Sequence, residues 1–463
     1  MTALFGELLV TRWRTQQHDR WTRTQLDDHQ QRMLARLRDH AARQSPYYAD
    51  QHRGMQRAAL SQLPPLTKTQ LMAQWDRLVT SPELRLDSVM RRLQDLESRG
   101  GDPGQPWQGR WWTAATAGST GQRGVFVWNR REWINILSSY ARVNDWAHVK
   151  VGPRRPVPTA IVSTRNPAHQ SAVVGASLRN PLVPTLRLDA TQPLANLVEA
   201  LNRFQPRLLV CYASMLAPLA EAQTAGDLHI APEKVITASE EQLPPARQAA
   251  IDAWGVQVIN TYAATETATI ASTCSHGSMH LYEDFVIIEP VDNAYRPVPD
   301  GQLADRLLAT VLFSRTLPLI RYELTDSIRL ATEPCECGLP FRCLATVAGR
   351  TEASLRMHSR TGEPLLIQPG VFHDALEPVA VHGWQVQQTT EGITVRIVDP
   401  GQQVDLHQIT RRLRAGLAAA GVSDDSPIDI TAVLDLARTP LGKAPLIIGP
   451  QQPPNSTEKP GLG

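Results

Sequence analysis

The stretch from Pro156 to Tyr262 constrains this chain more than any other. Short β-branched runs alternate there with helical ones, as VPTAIVS, PLANLVEALNRFQ, RLLVCY, SMLAPLAEAQTAG, KVITAS, ARQAAIDAW and VQVINTY. Strands separated by helices of this length pair in parallel. The pattern therefore predicts an α/β fold, a mostly parallel sheet covered by helices on both faces. Ligands of such sheets sit at the carboxyl ends of the strands.

The flanks differ. In TQLDDHQQRMLARLRDHAARQSPYY, Leu26, Met33, Leu34 and Leu37 recur at helical spacing, and Ser45-Pro46 ends the run. LPPLTKTQLMAQWDRLV predicts a second helix capped by Thr67 or Thr69. Residues 1–105 are thus read as a helical N-terminal part that closes on the loop SRGGDPGQPWQG. After Leu303 the runs DRLLATVLF, LIRY and SIRLAT predict a small β lobe. Beyond Gly349 the hairpin pattern WQVQQTTEGITVRIV, the helix LHQITRRLRAGLAAAG and the strand IDITAVLDL predict a separate α+β unit. The expected organisation is a large domain over 1–349, a small one over 350–449 and a polar, Pro-rich, disordered tail over 450–463. A chain of 463 residues has room for both, at roughly 150 residues per domain.

Charge and cysteine usage exclude several classes. Forty-seven Lys and Arg balance forty-five Asp and Glu, a net +2, so no one-sign field points to nucleic acid. The start MTALFGELLVTRWR lacks a basic leader and is broken by Glu7, and no apolar run approaches the ~18 residues that cross a bilayer. A cytoplasmic protein with no membrane partner is expected. Five cysteines, four of them in two late clusters (Cys274; Cys335, Cys337 and Cys343), suit a metal in a reducing compartment better than a disulfide framework.

Several segments carry chemistry. TAATAGSTGQRGVF, Thr113 to Phe126, supplies backbone N–H groups with the Ser119 and Thr120 hydroxyls, a combination that suits a phosphate chain. VINTYAATE runs a β-branched strand into a small-residue turn ending at Glu266, where a carboxylate can hold a hard cation bridging phosphates. In LPLIRYELTDSIRL, Asp326 sits in a polar break where it can bind a vicinal diol, and Arg321 can pair with phosphate or with a carboxylate. VAGRTEASL marks the junction between the two units, and ARTPLGKAPLI places Lys443 in a late turn. Each segment alone also has a plain reading, as a surface loop or a solvated charge.

Taken in order, these segments resemble the adenylate-forming superfamily of acyl-CoA synthetases and adenylation domains, most closely its phenylacetate-CoA ligase-like branch. LPLIRYELTDSIRL resembles that branch's L-P-L-I-R-Y…D segment, and LPPLTKTQL and SPYY resemble its N-terminal helical region. The resemblance implies a large N-terminal adenylate-forming domain followed by a small mobile α+β domain. It also implies a reaction in which a carboxylic acid, aryl or arylacetic in that branch, attacks the α-phosphorus of ATP with Mg²⁺ and then passes to CoA.

The roles it implies fall on matching positions. Thr116, Gly118, Ser119, Thr120 and Gly121 would form the phosphate loop. Ser239 and Glu240 would lie beside adenine and Tyr262 against it. Thr265 would approach the phosphate, Glu266 would hold magnesium, Asp326 and Arg350 would bind the ribose, and Lys443 would contact the carboxylate and α-phosphate. Cys274, His280, Cys335 and Cys337 give a C-x5-H…C-x-C set whose soft donors suit a structural zinc, as in some members of that branch, with His276 and Cys343 as reserve ligands. Cys211 in RLLVCY reads as core.

Departures bear on the acceptor. Gln122 and Arg123 stand where the family has Lys-Pro, with Arg123 as a substitute cation. Ala263 replaces a glycine, and Glu352-Ala353 leaves a single acid at the hinge. The glycine-bearing loop that admits the CoA thiol is replaced by MHSRTGEPLLIQPGVF. An amine or a carrier-protein thiol is therefore a second expected acceptor, and a catalytically silent binding subunit a third reading. His169 is a candidate substrate contact, and a monomer or homodimer is expected.

Overall fold

The computed structural model describes residues 2–116, 123–152, 154–350, 355–367, 369–376, 379, 381, 383–399, 404–439 and 443–449. Two compact units emerge, residues 1–348 with 438–444 and residues 349–437 with 445–463. The segment around Lys443 therefore packs with the large unit, whereas the sequence reading placed all of 350–449 in the small one.

In the large unit, helix Arg23–Gln44 buries Leu26, Leu34, Leu37 and Ala41 on one stripe. It opens on a capping box in which the Thr22 hydroxyl and the Gln25 side chain each accept the other's backbone N–H. The second expected helix is broken: Thr67 caps Lys68–Ala73, and Trp75–Leu78 follows as a separate turn. β1 (Trp112–Ala115) and β2 (Val125–Trp128) pair antiparallel on either side of the phosphate-loop sequence.

The alternating stretch forms the parallel half of a nine-stranded sheet. Its strands are β3 (Thr159–Ser163), β4 (Thr185–Asp189), β5 (Leu208–Tyr212), β6 (Lys234–Ala238) and β7 (Val258–Ala264). The sheet then turns antiparallel through β8 (Ala268–Thr273) and β9 (Met279–Leu281). A separate three-stranded sheet joins β10 (Val286–Val291), β11 (Arg306–Val311) and β12 (Tyr322–Leu324). After one residue the chain re-enters the large sheet as β13 (Asp326–Leu330), followed by β14 (Cys343–Arg350), in the order β13-β14-β9-β8-β7-β6-β5-β3-β4.

Helix Arg130–Trp146 is anchored by charge as well as by packing. Arg142 and Asp284, both buried, pair through two hydrogen bonds of 2.7 and 2.6 Å, and His18 reaches the same carboxylate at 2.7 Å. Burial without a partner would be costly for either charge, so the guanidinium and His18 hold Asp284 well below the usual carboxylate range.

In the small unit, β15 (Leu355–His358) and β16 (Pro364–Ile367) form a hairpin where the sequence reading expected a loop, and helix Pro369–Leu376 follows. The strands β17 (Gly383–Gln388), β18 (Ile393–Val398), β19 (Ile428–Val433) and β20 (Ile447–Ile448) pair in the order β19-β18-β17-β20 beside helix Leu406–Ala419. This is the expected hairpin, helix and strand, with β20 added.

Candidate active site

The candidate residues gather where the strands of the large sheet end. Tyr262 lies on β7 at a register shift between Tyr262 and Ala263, a bulge that re-aims the side chains that follow. Its hydroxyl donates to Asp326 Oδ2 at 2.7 Å. Four strand spacings separate β7 from β13, which would put a flat sheet about 19 Å across at that point. The antiparallel half therefore curls back, and the start of β13 meets the end of β7. Asp326 is buried there, as is Glu266 in the turn after β7.

Glu266 Oε1 accepts the Tyr322 hydroxyl at 3.4 Å, and the Thr265 carbonyl accepts Gln170 Nε2 at 3.0 Å. Gln170 is 2% exposed and also takes the Tyr140 hydroxyl at 3.0 Å, so it braces the turn from below. Sequence reading assigned Gln170 no role, because its signal, a glutamine opening a short helix, is common to many surfaces. Tyr322 lies within RYELTD, where no local pattern marks it as a partner of Glu266.

A second cluster forms at the ends of β5 and β6. Ser239 takes a left-handed conformation (φ 71°) directly after β6, a turn unusual for a residue with a side chain. Glu240 follows, accepting Ser214 N at 2.8 Å and Ala444 N at 2.6 Å. Lys443 Nζ lies 5.8 Å from the Tyr212 ring centroid. Burial pushes the Tyr212 phenol up to about 12, so the lysine faces a neutral ring.

Three further residues named from the sequence have protein partners. Arg321 is buried in a left-handed turn (φ 50°), donating to Glu289 at 3.2 Å and to the Ser61 and Leu63 carbonyls, so it pairs with a carboxylate and is not available to phosphate. Arg123, proposed as a substitute cation, donates to both Glu97 oxygens at 3.0 and 2.5 Å, which holds Glu97 below its usual range. His169 starts the helix Gln170–Ser177 and meets Ser171 Oγ at 3.3 Å.

Thr116 is described: its hydroxyl accepts Gly124 N at 2.8 Å, closing the base of the phosphate-loop segment. Gly118, Ser119, Thr120, Gly121, Gln122, Glu352 and Ala353 lie outside the described residues, as does the side chain of Arg350, the last residue of β14. A surface cleft of about 480 Å³ lined by His40, Trp111, Glu132 and Arg315, among others, contains none of the candidate residues.

The cysteine cluster assembles as the sequence suggested. The donor atoms of Cys274, His280, Cys335 and Cys337 lie within 4.8 Å of one another. His280 Nδ1 meets the Phe341 carbonyl at 2.9 Å; a carbonyl only accepts, so Nδ1 carries the proton and Nε2 faces Cys337 Sγ at 3.2 Å. Three thiols and one imidazole nitrogen in that arrangement fit a tetrahedral zinc site. His276 is exposed beside it. Cys343 Sγ is 3.6 Å from His280 Nδ1 and 3.7 Å from Nε2, outside the four-residue group. Burial pushes the Cys211 thiol up to about 12, as a core residue requires.

No family model matches the sequence, and no curated protein matches it. Among solved structures, 2-hydroxyisobutyryl-CoA ligase in the postadenylation state with R3-HIB-AMP aligns over 94% of this chain and 91% of its own, at 17% identity and TM-score 0.71. An open conformation of that ligase with 2-HIB-AMP and CoA aligns over 93% of each chain at 17% identity and TM-score 0.61. This chain has the fold of that ligase. Within that fold no described helix is long and apolar enough to cross a membrane.

Proposed function

We propose that the chain activates a carboxylic acid with ATP, releasing pyrophosphate, and transfers the acyl group from the resulting adenylate to CoA. The observation that carries this reading is the Tyr262–Asp326 hydrogen bond. It joins an aromatic face and a carboxylate at the carboxyl end of the sheet, where a base and a ribose diol have matching partners. Lys443, held in the same unit, supplies a mobile cation for the acid and the α-phosphate. Thr265 lies one residue before Glu266, near the phosphates.

The acid oxygen forms a bond to the α-phosphorus as the bond to pyrophosphate breaks. The protein's part is to align the two and offset negative charge. Magnesium would supply part of that charge when bound. Glu266 offers it a single hard oxygen donor, in keeping with an ion that takes most of its shell from phosphates and water. Ser239 flanks the adenine side, the Thr116–Gly121 segment the phosphates, and Arg350 the ribose. The zinc site would be structural, fastening the end of β8 to the loop before β14. An aryl or arylacetic substrate follows the phenylacetate-CoA ligase-like resemblance.

Acid-dependent ATP–pyrophosphate exchange against a panel of carboxylic acids tests the reading. Exchange with at least one acid is expected, falling about 100-fold or more in Lys443→Ala and in Asp326→Ala, the scale of a lost transition-state electrostatic contact. A parent protein silent toward every acid would overturn it. Thioester formation on adding CoA identifies the acceptor.

The rebuilt segment at 357–372 favours a second reading, in which the acyl group passes to an amine or a carrier-protein thiol. Its β15–β16 hairpin stands where the resembled family has a glycine-bearing loop. Amide product in place of thioester would select it.

A further inference from the structure

Glu240 has both carboxylate oxygens committed to backbone amides. One comes from Ser214, in the turn after β5, and the other from Ala444, the residue directly after Lys443. Ser214 is engaged a second time: Arg438 donates through Nη1 to its hydroxyl at 2.9 Å and through Nη2 to its carbonyl at 3.4 Å. The Lys443 segment is thus fastened at both ends to the turns that follow β5 and β6, by Arg438 where it arrives and by Ala444 where it leaves. Between these anchors Thr439 N donates to the Lys443 carbonyl at 2.7 Å, and Lys443 N to the Thr439 hydroxyl at 3.2 Å.

We propose that Glu240 is a positioning residue for Lys443, acting through the Ala444 amide rather than through the nucleotide. This rests on the reading above, in which Lys443 serves adenylation. A lysine side chain has four rotatable bonds and a large rotamer entropy, so the backbone beneath it decides whether its ammonium reaches a target. A hydrogen bond from the next residue's amide to a carboxylate is charge-assisted, and it fixes the lysine Cα with only one residue of slack. The same carboxylate accepts Ser214 N, so the turn after β5 orients it independently of the segment's own amide. Arg438 adds a tether that survives if Glu240 is lost, and the loss is therefore one of precision rather than of folding.

Two measurements on the full-length protein decide this. Trypsin cuts after Lys443 only when the local chain is released. In Glu240→Ala, cleavage at Lys443–Ala444 is expected to speed up about tenfold or more, the range set by one charge-assisted hydrogen bond, with the thermal midpoint unchanged. Glu240→Gln keeps one acceptor oxygen and should fall between Ala and the parent. In parallel, kcat of acid-dependent ATP–pyrophosphate exchange should drop by a similar factor while KM for ATP stays put. Unchanged cleavage in Glu240→Ala would overturn the proposal. So would a raised KM for ATP with kcat unchanged, which would make Glu240 a nucleotide contact. A parent with no exchange overturns the functional reading instead, and the cleavage rates still decide the clasp.

Discussion

At the level of single residues, candidates were legible and their partners were not. Tyr262, Glu266 and Asp326 stand in segments that the family resemblance singled out, and the structure brings two of them into direct contact. Arg321 sits in the same segment, yet its partner Glu289 lies 32 residues away on another strand, and no local pattern encodes that pairing. His52 was silent in the sequence. It is 7% exposed against the Tyr48 ring, and burial, aided by the Arg38 charge, lowers its pKa to about 4. In the unfolded chain it would protonate near 6.5. Between these values the unfolded state binds the extra proton, so stability should fall as pH drops from about 6.5 toward 4. Urea midpoints at pH 7.5 and pH 5 should differ less in His52→Gln than in the parent; an equal difference would assign the acid sensitivity elsewhere.

Among elements, those with a simple burial pattern were legible. The helix over 23–44 shows a helical repeat that matches the stripe it buries, and the strands of the alternating stretch, short β-branched runs covered on both faces, appear in place. The pattern failed where tertiary contacts overrode it. The helix expected over 67–78 breaks at Gln74, and the stretch at 355–367 pairs with itself. Capping shows the same limit. Glu132 completes a local capping box with Asn129, but it also accepts the amides of Arg315 and Thr316 and the Thr316 hydroxyl at 2.7 Å, partners more than 180 residues away. Glu132 is 2% exposed, so Glu132→Ala strands several buried donors at once. A loss of about 3 kcal/mol or more is expected in urea unfolding, with Glu132→Gln losing roughly half of that, since one oxygen still accepts. A loss under about 1 kcal/mol would show that water replaces the carboxylate.

For the whole molecule, the cysteines gave the clearest long-range constraint. Four ligands spread from Cys274 to Cys337 converge, and the predicted set is the one the structure assembles. One zinc per chain is expected by elemental analysis of the purified protein, retained in Cys343→Ser and lost in Cys337→Ser, with a lower thermal midpoint only in the latter. Metal-free parent protein of unchanged stability would remove the site. The division into units was less legible. The small unit's hairpin, helix and strand were read correctly, but residues 438–444 pack with the large unit because Glu240 and Ser214, more than 190 positions earlier, capture them.

The strand order also fixes a timetable for synthesis. β3 to β9 leave the ribosome in one continuous stretch, but the edge of β9 is covered only when β14 arrives about 60 residues later, pairing through Cys343 and Leu344. At roughly 5–20 residues per second, that leaves the backbone groups of β9 open to foreign strands for several seconds. Cys335 and Cys337 emerge just before the covering strand, and Cys274 and His280 already wait at the open edge. A metal ion captured at that moment would shorten the search of β14 for its partner. Zinc starvation during expression should therefore show as aggregation of nascent chains rather than as an inactive but soluble product.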